Sequence, residues 1–290
     1  MKNILSIDVE EYFQVEAFWD VIPRESWDSQ QSRLTMNIMR LLDILDEHHA
    51  SATFFTLGWI AERYPQVLAE IHSRGHELAS HGYSHRSLKR MSAEEFATDL
   101  DKSLEAIFRA CGATVTGFRA PTFSAERNNE WIWNTLLSAG IRYDSSIYPV
   151  KHDLYGDPSA PRYPYVISTA EGALLEIPPT TYKFFGKIMS ACGGGSLRLF
   201  PYWFSRRAIR AYNAAGYGAV VYLHPWEIDE AQPRIEVDPK TRLRHYGNLT
   251  LVAGKLKRLL REFDFGSVRE VYPDIEQQIA AITGSNSVGK

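Results

Sequence analysis

The sequence is short of cysteine, of net charge and of long apolar runs, and each shortage narrows the field. Two cysteines in 290 residues, Cys111 and Cys192, cannot build a disulfide framework. Two reduced thiols in an intracellular protein is the plain reading. A formal charge of -3 supplies no basic stripe for phosphates, so a nucleic-acid partner is not expected. No stretch approaches the ~20 apolar residues of a membrane-spanning helix. The opening MKNILSIDVEEYF has too short an apolar run for a secretory leader. A cytoplasmic protein without a transmembrane segment is expected, with peripheral attachment to a membrane biosynthesis complex left open. Internal repeats, coiled-coil heptads and low-complexity blocks are also missing.

What is present is a large apolar fraction, 44%, with 12% aromatic residues, enough for a sizeable core. Strand and helix patterns alternate. Asn3 to Val9 alternates like a strand, with Leu5, Ile7 and Val9 on one face and Ser6, Asp8 and Glu10 on the other. Residues 32–48 carry helical apolar spacing, Ala52 to Leu57 reads as a strand, and Pro65 to Arg74 as a helix stopped by Gly75. Leu78 and Ala79 fall in the next short strand. Ser92 through Ala110 reads as a helix with Ser92 and Glu95 as a capping box. Phe118 to Pro121 is a strand end, Glu130 to Ala139 a helix, and Tyr143 to Ser146 the close of another strand. Residues 150–200, rich in Pro and Gly, read as long loops with short strands. A helix over Ser205–Ala215, the apolar strand AVVYLHPWE, a helix near 249–263 and a strand-like SVREVY follow. Residues 276–290, ending in GSNSVGK, read as a disordered polar tail. The alternation predicts an α/β fold of distorted (β/α)-barrel type, one catalytic domain over 1–275.

Five groups fall at successive strand ends, where such folds keep their sites: Asp8 with Glu10, His81 with His85, Arg119, Asp144 and His224. Each has a bland reading. Asp8 can cap a strand end, Arg119 serve in a structural ion pair, Asp144 cap a helix or turn, and His224, before Pro225, be a packed strand-end histidine. Together they fit a metal-assisted hydrolase better. Two imidazoles and a carboxylate bind a zinc-type ion, a second carboxylate takes a proton from water, and a separate histidine protonates the leaving group.

The motifs ATFF, GHELASHGYSH, RAPTF and YLHPWE resemble those of the polysaccharide deacetylases with a NodB-homology domain, carbohydrate esterase family four. The resemblance covers about residues 3–228, leaving an extension over about 229–275. It implies a distorted (β/α) barrel that removes acetyl groups from acetamido sugars. Asp8 is then the catalytic base, His81 and His85 metal ligands, Arg119 the residue orienting the base, His224 the general acid and Asp144 its tuner. RHYGNL and LKRLLREFDFGSV resemble the subfamily found at exosortase and exopolysaccharide loci. The implied substrate is an N-acetylated polysaccharide or its precursor, and the implied cofactor a divalent metal, zinc ahead of cobalt or nickel.

Two positions depart from that pattern. Asp-Asp is replaced by Asp8-Val9-Glu10, and valine binds no ion. Alternation returns Glu10 to the Asp8 face, so Glu10, His81 and His85 are expected as ligands, with Asp8 reached through the water. Thr122 stands after Pro121 where relatives carry an aromatic; its backbone N–H is expected to face the oxyanion. Trp226 is a substrate-contact candidate, although core packing is the stronger reading for it and for Tyr182, Phe184, Phe185 and Tyr202. Two rivals remain: a metal-independent cyclic-amide hydrolase of the allantoinase kind, and an inactive sugar-binding subunit.

Overall fold

Strand β1 (Asn3–Val9) occupies the centre of the fold because both of its faces are buried. The computed structural model describes residues 1–153 and 155–287. Beside β1 lie β2 (Thr53–Thr56), β3 (Glu77–Ser80), β4 (Gly117–Phe118) and β5 (Tyr143–Asp144), all parallel. An antiparallel pair, β6 (Tyr165–Thr169) and β7 (Gly172–Glu176), continues the sheet, with β7 parallel to β5. A separate hairpin, β8 (Thr181–Phe184) and β9 (Lys187–Ser190), follows. On the other side of β1 lie β10 (Val220–Leu223) and β11 (Phe265–Gly266), both parallel to it. Helices α1 (Leu34–Glu47), α2 (Gly58–Arg63), α3 (Pro65–Ser73), α4 (Ala93–Cys111) and α5 (Glu130–Ser138) connect the first strands. Then come α6 (Gly194–Leu199), α7 (Tyr202–Ala214), α8 (Pro239–Tyr246), α9 (Leu249–Glu262), α10 (Val268–Val271) and α11 (Ile275–Ser287). No helix among the described residues is long and apolar enough to cross a membrane.

The sheet closes irregularly into a distorted (β/α) barrel. The seam between β7 and β10 is filled by loop rather than strand. Thr180 Oγ1 accepts from Val220 N at 2.7 Å and Cys192 O from Tyr222 N at 3.0 Å. Gly193 bridges to Tyr222, and a Cβ there would fall 2.0 Å from the Tyr222 ring. The close approach explains a glycine in this part of CGGGS.

Alternation along β1 sorts the interior into layers. Leu5, Ile7 and Val9 join the large core under the helices. Ile4 joins a smaller cluster with Phe55, Ala79, Tyr143, Leu175 and Val220. Above it, at the strands' carboxyl ends, the interior turns polar.

The capping box Ser92–Glu95 forms, and Glu95 N donates to Ser92 Oγ at 3.2 Å. Two expectations at the C-terminus are corrected. SVREVY is not a strand: Ser267 caps the helical turn α10, and the strand is the two preceding residues. The expected disordered tail is the helix α11 through Ser287, because Ile279 is buried in the small cluster and Ile275 and Ile282 pack against it. Residues 288–290 lie outside the described residues. Burying one isoleucine side chain contributes roughly 1.5–3 kcal/mol toward holding this helix against the sheet.

Candidate active site

The carboxyl ends of β1, β3, β4 and β10 bring Asp8, Glu10, His81, His85, Arg119 and His224 to one place. Asp8 lies one residue before the end of β1, and its Oδ1 accepts from Arg119 Nη1 at 2.6 Å, both side chains buried. Arg119 is held from three further sides: Nη1 donates to Ser6 Oγ at 3.0 Å, Nη2 to Ser145 Oγ at 2.9 Å and Nε to Ser145 O at 3.2 Å. Its guanidinium lies 4.1 Å from the Phe55 ring centroid. With Oδ1 occupied, Asp8 Oδ2 is left facing His224 Nε2 at 3.8 Å.

Glu10, His81 and His85 offer ligand atoms that all lie within 4.8 Å of one another, and all three are buried. His85 Nε2 is 2.8 Å from Glu10 Oε2. The histidine pair is not helical. His85 sits in a tight turn after β3 with φ +51°, which swings it back beside His81, ring centroids 5.4 Å apart. His81 Nδ1 lies 2.7 Å from the Arg119 carbonyl, which can only accept, so Nδ1 carries the hydrogen and Nε2 the lone pair. Burial, with His85 beside it, pushes the His81 imidazole down to about 3, so the ring is neutral at physiological pH. Burial alone would raise the Glu10 carboxyl, but His85 and His224 outweigh it and hold the group below its ordinary range. His85 Nδ1 is buried without a hydrogen-bond partner. A neutral imidazole, a second imidazole and an ionised carboxylate converging in a buried spot form a donor set that fits a divalent ion with open positions.

His224 follows β10. Its Nε2 is 3.3 Å from Glu10 Oε1, and its Nδ1 is 3.0 Å from Glu227 Oε2. The same Glu227 oxygen accepts from the His224 backbone N–H at 2.9 Å, and the other pairs with Arg198. Burial pulls the His224 ring down, yet Glu10 and Glu227 win and lift it to about 9. The ring stacks on Trp226 at 5.1 Å, and Trp226 in turn on His245 at 4.1 Å.

Comparison with known proteins gives the family to which part of the chain is similar. Residues 25–143 match the family model described as polysaccharide deacetylase, and residues 145–273 match a domain of unknown function, DUF3473. The match to the polysaccharide deacetylases thus spans residues 25–143. The peptidoglycan-N-acetylglucosamine deacetylase of Bacillus cereus is 32% identical over 96 residues, 33% of this chain and 34% of that one. The peptidoglycan deacetylase of Helicobacter pylori is 34% identical over 113 residues, 39% and 37% of the two chains. The matched region is thus a little over a third of those relatives' length. A crystal structure from Mycobacterium smegmatis, described as a polysaccharide deacetylase, superposes with TM-score 0.62 at 20% identity, over 96% of this chain and 91% of that one. At that identity it speaks for the fold alone.

Within the site, three expectations differ from the structure or are added to by it. Asp144 is not beside His224. Its carboxylate turns back on its own strand end, where Oδ2 accepts from Ser146 N at 2.8 Å and Oδ1 from Ser146 Oγ at 2.7 Å. Ser146 Oγ also accepts from Ala120 N at 2.7 Å, so Asp144 braces the loop after Arg119. The acid beside His224 is Glu227, and its spacing in HPWE was the available signal, since His224 and Glu227 form a capping box. Trp226 is buried against its two histidines and offers no open face to a sugar; only its Nε1 reaches the site, 3.4 Å from Glu10 Oε1.

Thr122 lies at φ +56°, a conformation a β-branched residue adopts only under strain. The bonds of this turn run from the Phe123 and Ser124 N–H groups to Ala120 and Pro121. The aromatic missing at position 122 arrives one residue later: Phe123 packs on Tyr148 and Tyr222.

Proposed function

We propose that this protein is a divalent-metal N-deacetylase acting on an acetamido sugar of a polysaccharide or its precursor. The observation that carries the reading is the Glu10–His81–His85 ligand set flanked by Asp8, held by Arg119, and His224, held by Glu227. A divalent ion bound there supplies Lewis-acid polarisation and an acidified water. Asp8 Oδ2 is the base, its direction fixed because Arg119 holds Oδ1. The Thr122 backbone N–H is the oxyanion donor, which accounts for the strained turn. His224, charged because Glu227 and Glu10 surround it, hands the Nε2 proton to the departing sugar nitrogen. Acetate and a free amino sugar leave.

The finer parts of the reading have their own support. Zinc suits two imidazoles and a carboxylate. A reducing, cytoplasmic location suits Cys111 and Cys192, both free. An exported polysaccharide or its lipid-linked precursor suits the subfamily motifs after residue 240, with contact to a membrane biosynthesis complex. The test is mass spectrometry of acetylated oligosaccharides after incubation with the zinc-loaded protein. Loss of one acetyl mass per turnover is expected; no loss from any member of a broad panel overturns the reading.

A further inference from the structure

From Ile177 to Trp226 the chain carries no aspartate or glutamate but six lysines and arginines, a local charge of +6 in a chain whose total is -3. Arg198 and Arg206 pair with Glu227 and Glu262 from outside the stretch. Lys183, Lys187, Arg207 and Arg210 form no salt bridge among the described residues and are exposed.

Lys183 and Lys187 flank the apolar tip of the β8–β9 hairpin, and Arg207 and Arg210 lie on α7, which packs against that hairpin. The β8–β9 hairpin turns through Phe185 and Gly186, at φ +47° and +79°. Such turns favour asparagine and glycine. A phenyl ring there carries the cost of left-handed backbone, and burial does not offset it: Phe185 is 92% exposed. The tip is rigidly rooted. Tyr182 and Phe184 pack edge-on against Phe204 at 5.5 and 5.6 Å, and Phe184 meets Trp203 at 6.0 Å. Trp203, 45% exposed, shares a helical face of α7 with Arg207 and Arg210.

We propose that this tip and the adjoining face of α7 dock on an anionic lipid surface. Phe185 and Trp203 enter the boundary between headgroups and acyl chains, and the four basic side chains meet the headgroups. A soluble acidic glycan would be met by the charges alone. A convex, almost fully exposed phenyl ring gains by leaving water, which a bilayer allows and a hydrated polymer does not. The docking stands apart from the deacetylase reading, since neither Phe185 nor the four basic residues touch the site.

Flotation of the full chain with vesicles tests it. Binding is expected to phosphatidylcholine containing roughly a third phosphatidylglycerol and not to phosphatidylcholine alone, and to weaken with salt. Lys183→Gln with Lys187→Gln is expected to lower the partition constant roughly tenfold or more, each basic residue near such a surface contributing about fivefold. Phe185→Ser is expected to lower it as well, with an unchanged melting curve and unchanged acetyl release from a soluble oligosaccharide. Absence of binding to the mixed vesicles, or equal binding by both variants, overturns the proposal. So does retention on a soluble polyuronate that needs the lysines but not Phe185. Vesicle binding without any acetyl release would leave the docking intact and remove the deacetylase reading instead.

Discussion

Glu227 Oε2 stands 3.0 Å from His224 Nδ1 and accepts the backbone N–H of the same residue at 2.9 Å. Two contacts from one carboxylate fix both the ring's orientation and its hydrogen. The other carboxylate oxygen is tied to Arg198, so the acid cannot swing away.

The general-acid limb of the pH–rate profile follows from this pair. The acid must be protonated, so turnover falls as pH rises through the His224 value, which its neighbours lift to about 9. Removing the Glu227 charge lowers that value, so Glu227→Gln moves the falling limb to lower pH. Asp144→Asn leaves the limb in place, and His224→Ala removes it. A limb shifted by Asp144→Asn and untouched by Glu227→Gln would reverse the two roles.

Asp8→Asn keeps the ligand set, since Asp8 lies outside the Glu10–His81–His85 cluster. Turnover is expected to fall roughly 10²–10⁴-fold with metal content unchanged. Elemental analysis alongside steady-state rates checks both halves; loss of the metal in this variant would make Asp8 a ligand.

Glu10→Ala is expected to weaken zinc binding about as much as His81→Ala. Glu11→Ala acts differently. Glu11 accepts from Arg33 N at 3.0 Å, Leu34 N at 3.1 Å and Ser32 Oγ, capping α1 from a distance. Its removal costs about 1 kcal/mol, the usual worth of a cap, with zinc affinity retained. Dialysis against a weak chelator separates the cases. A Glu10→Ala protein that holds its full zinc complement would reject the ligand assignment, and an active wild type free of metal would favour the cyclic-amide rival.

Asp144 and Glu176 are both fully buried, and burial, then the Asp144 charge, raises Glu176 far above its ordinary range. Glu176 Oε2 finds no donor, while Oε1 accepts from Ile147 N at 3.0 Å. A proton on Oε2, given to Asp144, resolves the pair. The folded state then holds a proton that the unfolded chain releases, so stability is full below the unfolded value and declines as pH rises toward the folded one. In Glu176→Gln the amide donates permanently. Its melting temperature should match the wild type near pH 4 and exceed it at pH 8; parallel curves across that range would rule out the shared proton.

Much of the site was legible in the sequence because strand alternation is rigid. Asp8 and Glu10 had to share a face, and Val9 had to leave it for the core. His81 and His85, four apart after a strand, were close in any compact turn. The capping box of α4 and most helix limits were equally local.

Side-chain direction across the barrel was not local. Arg119 reaches Asp8, and Glu10 meets His85 and His224, only once β1, β3, β4 and β10 are assembled, whereas the contacts of Asp144 with Ser146 and of Glu227 with His224 span two and three residues. Strands of two residues, such as β4, β5 and β11, are too short to alternate, so register with their neighbours made them strands. In α11 the spacing of Ile275, Ile279 and Ile282 was present in the sequence under a polar composition. It became structure because the barrel left the small cluster of Ile4, Leu175 and Val220 for Ile279 to join. The sequence alone determined which groups carry the chemistry, since residue type and alternation act within a few bonds. The tertiary structure decided that Glu10 meets His85 and His224 and that Arg119 meets Asp8, because those contacts depend on strands far apart in sequence being laid side by side.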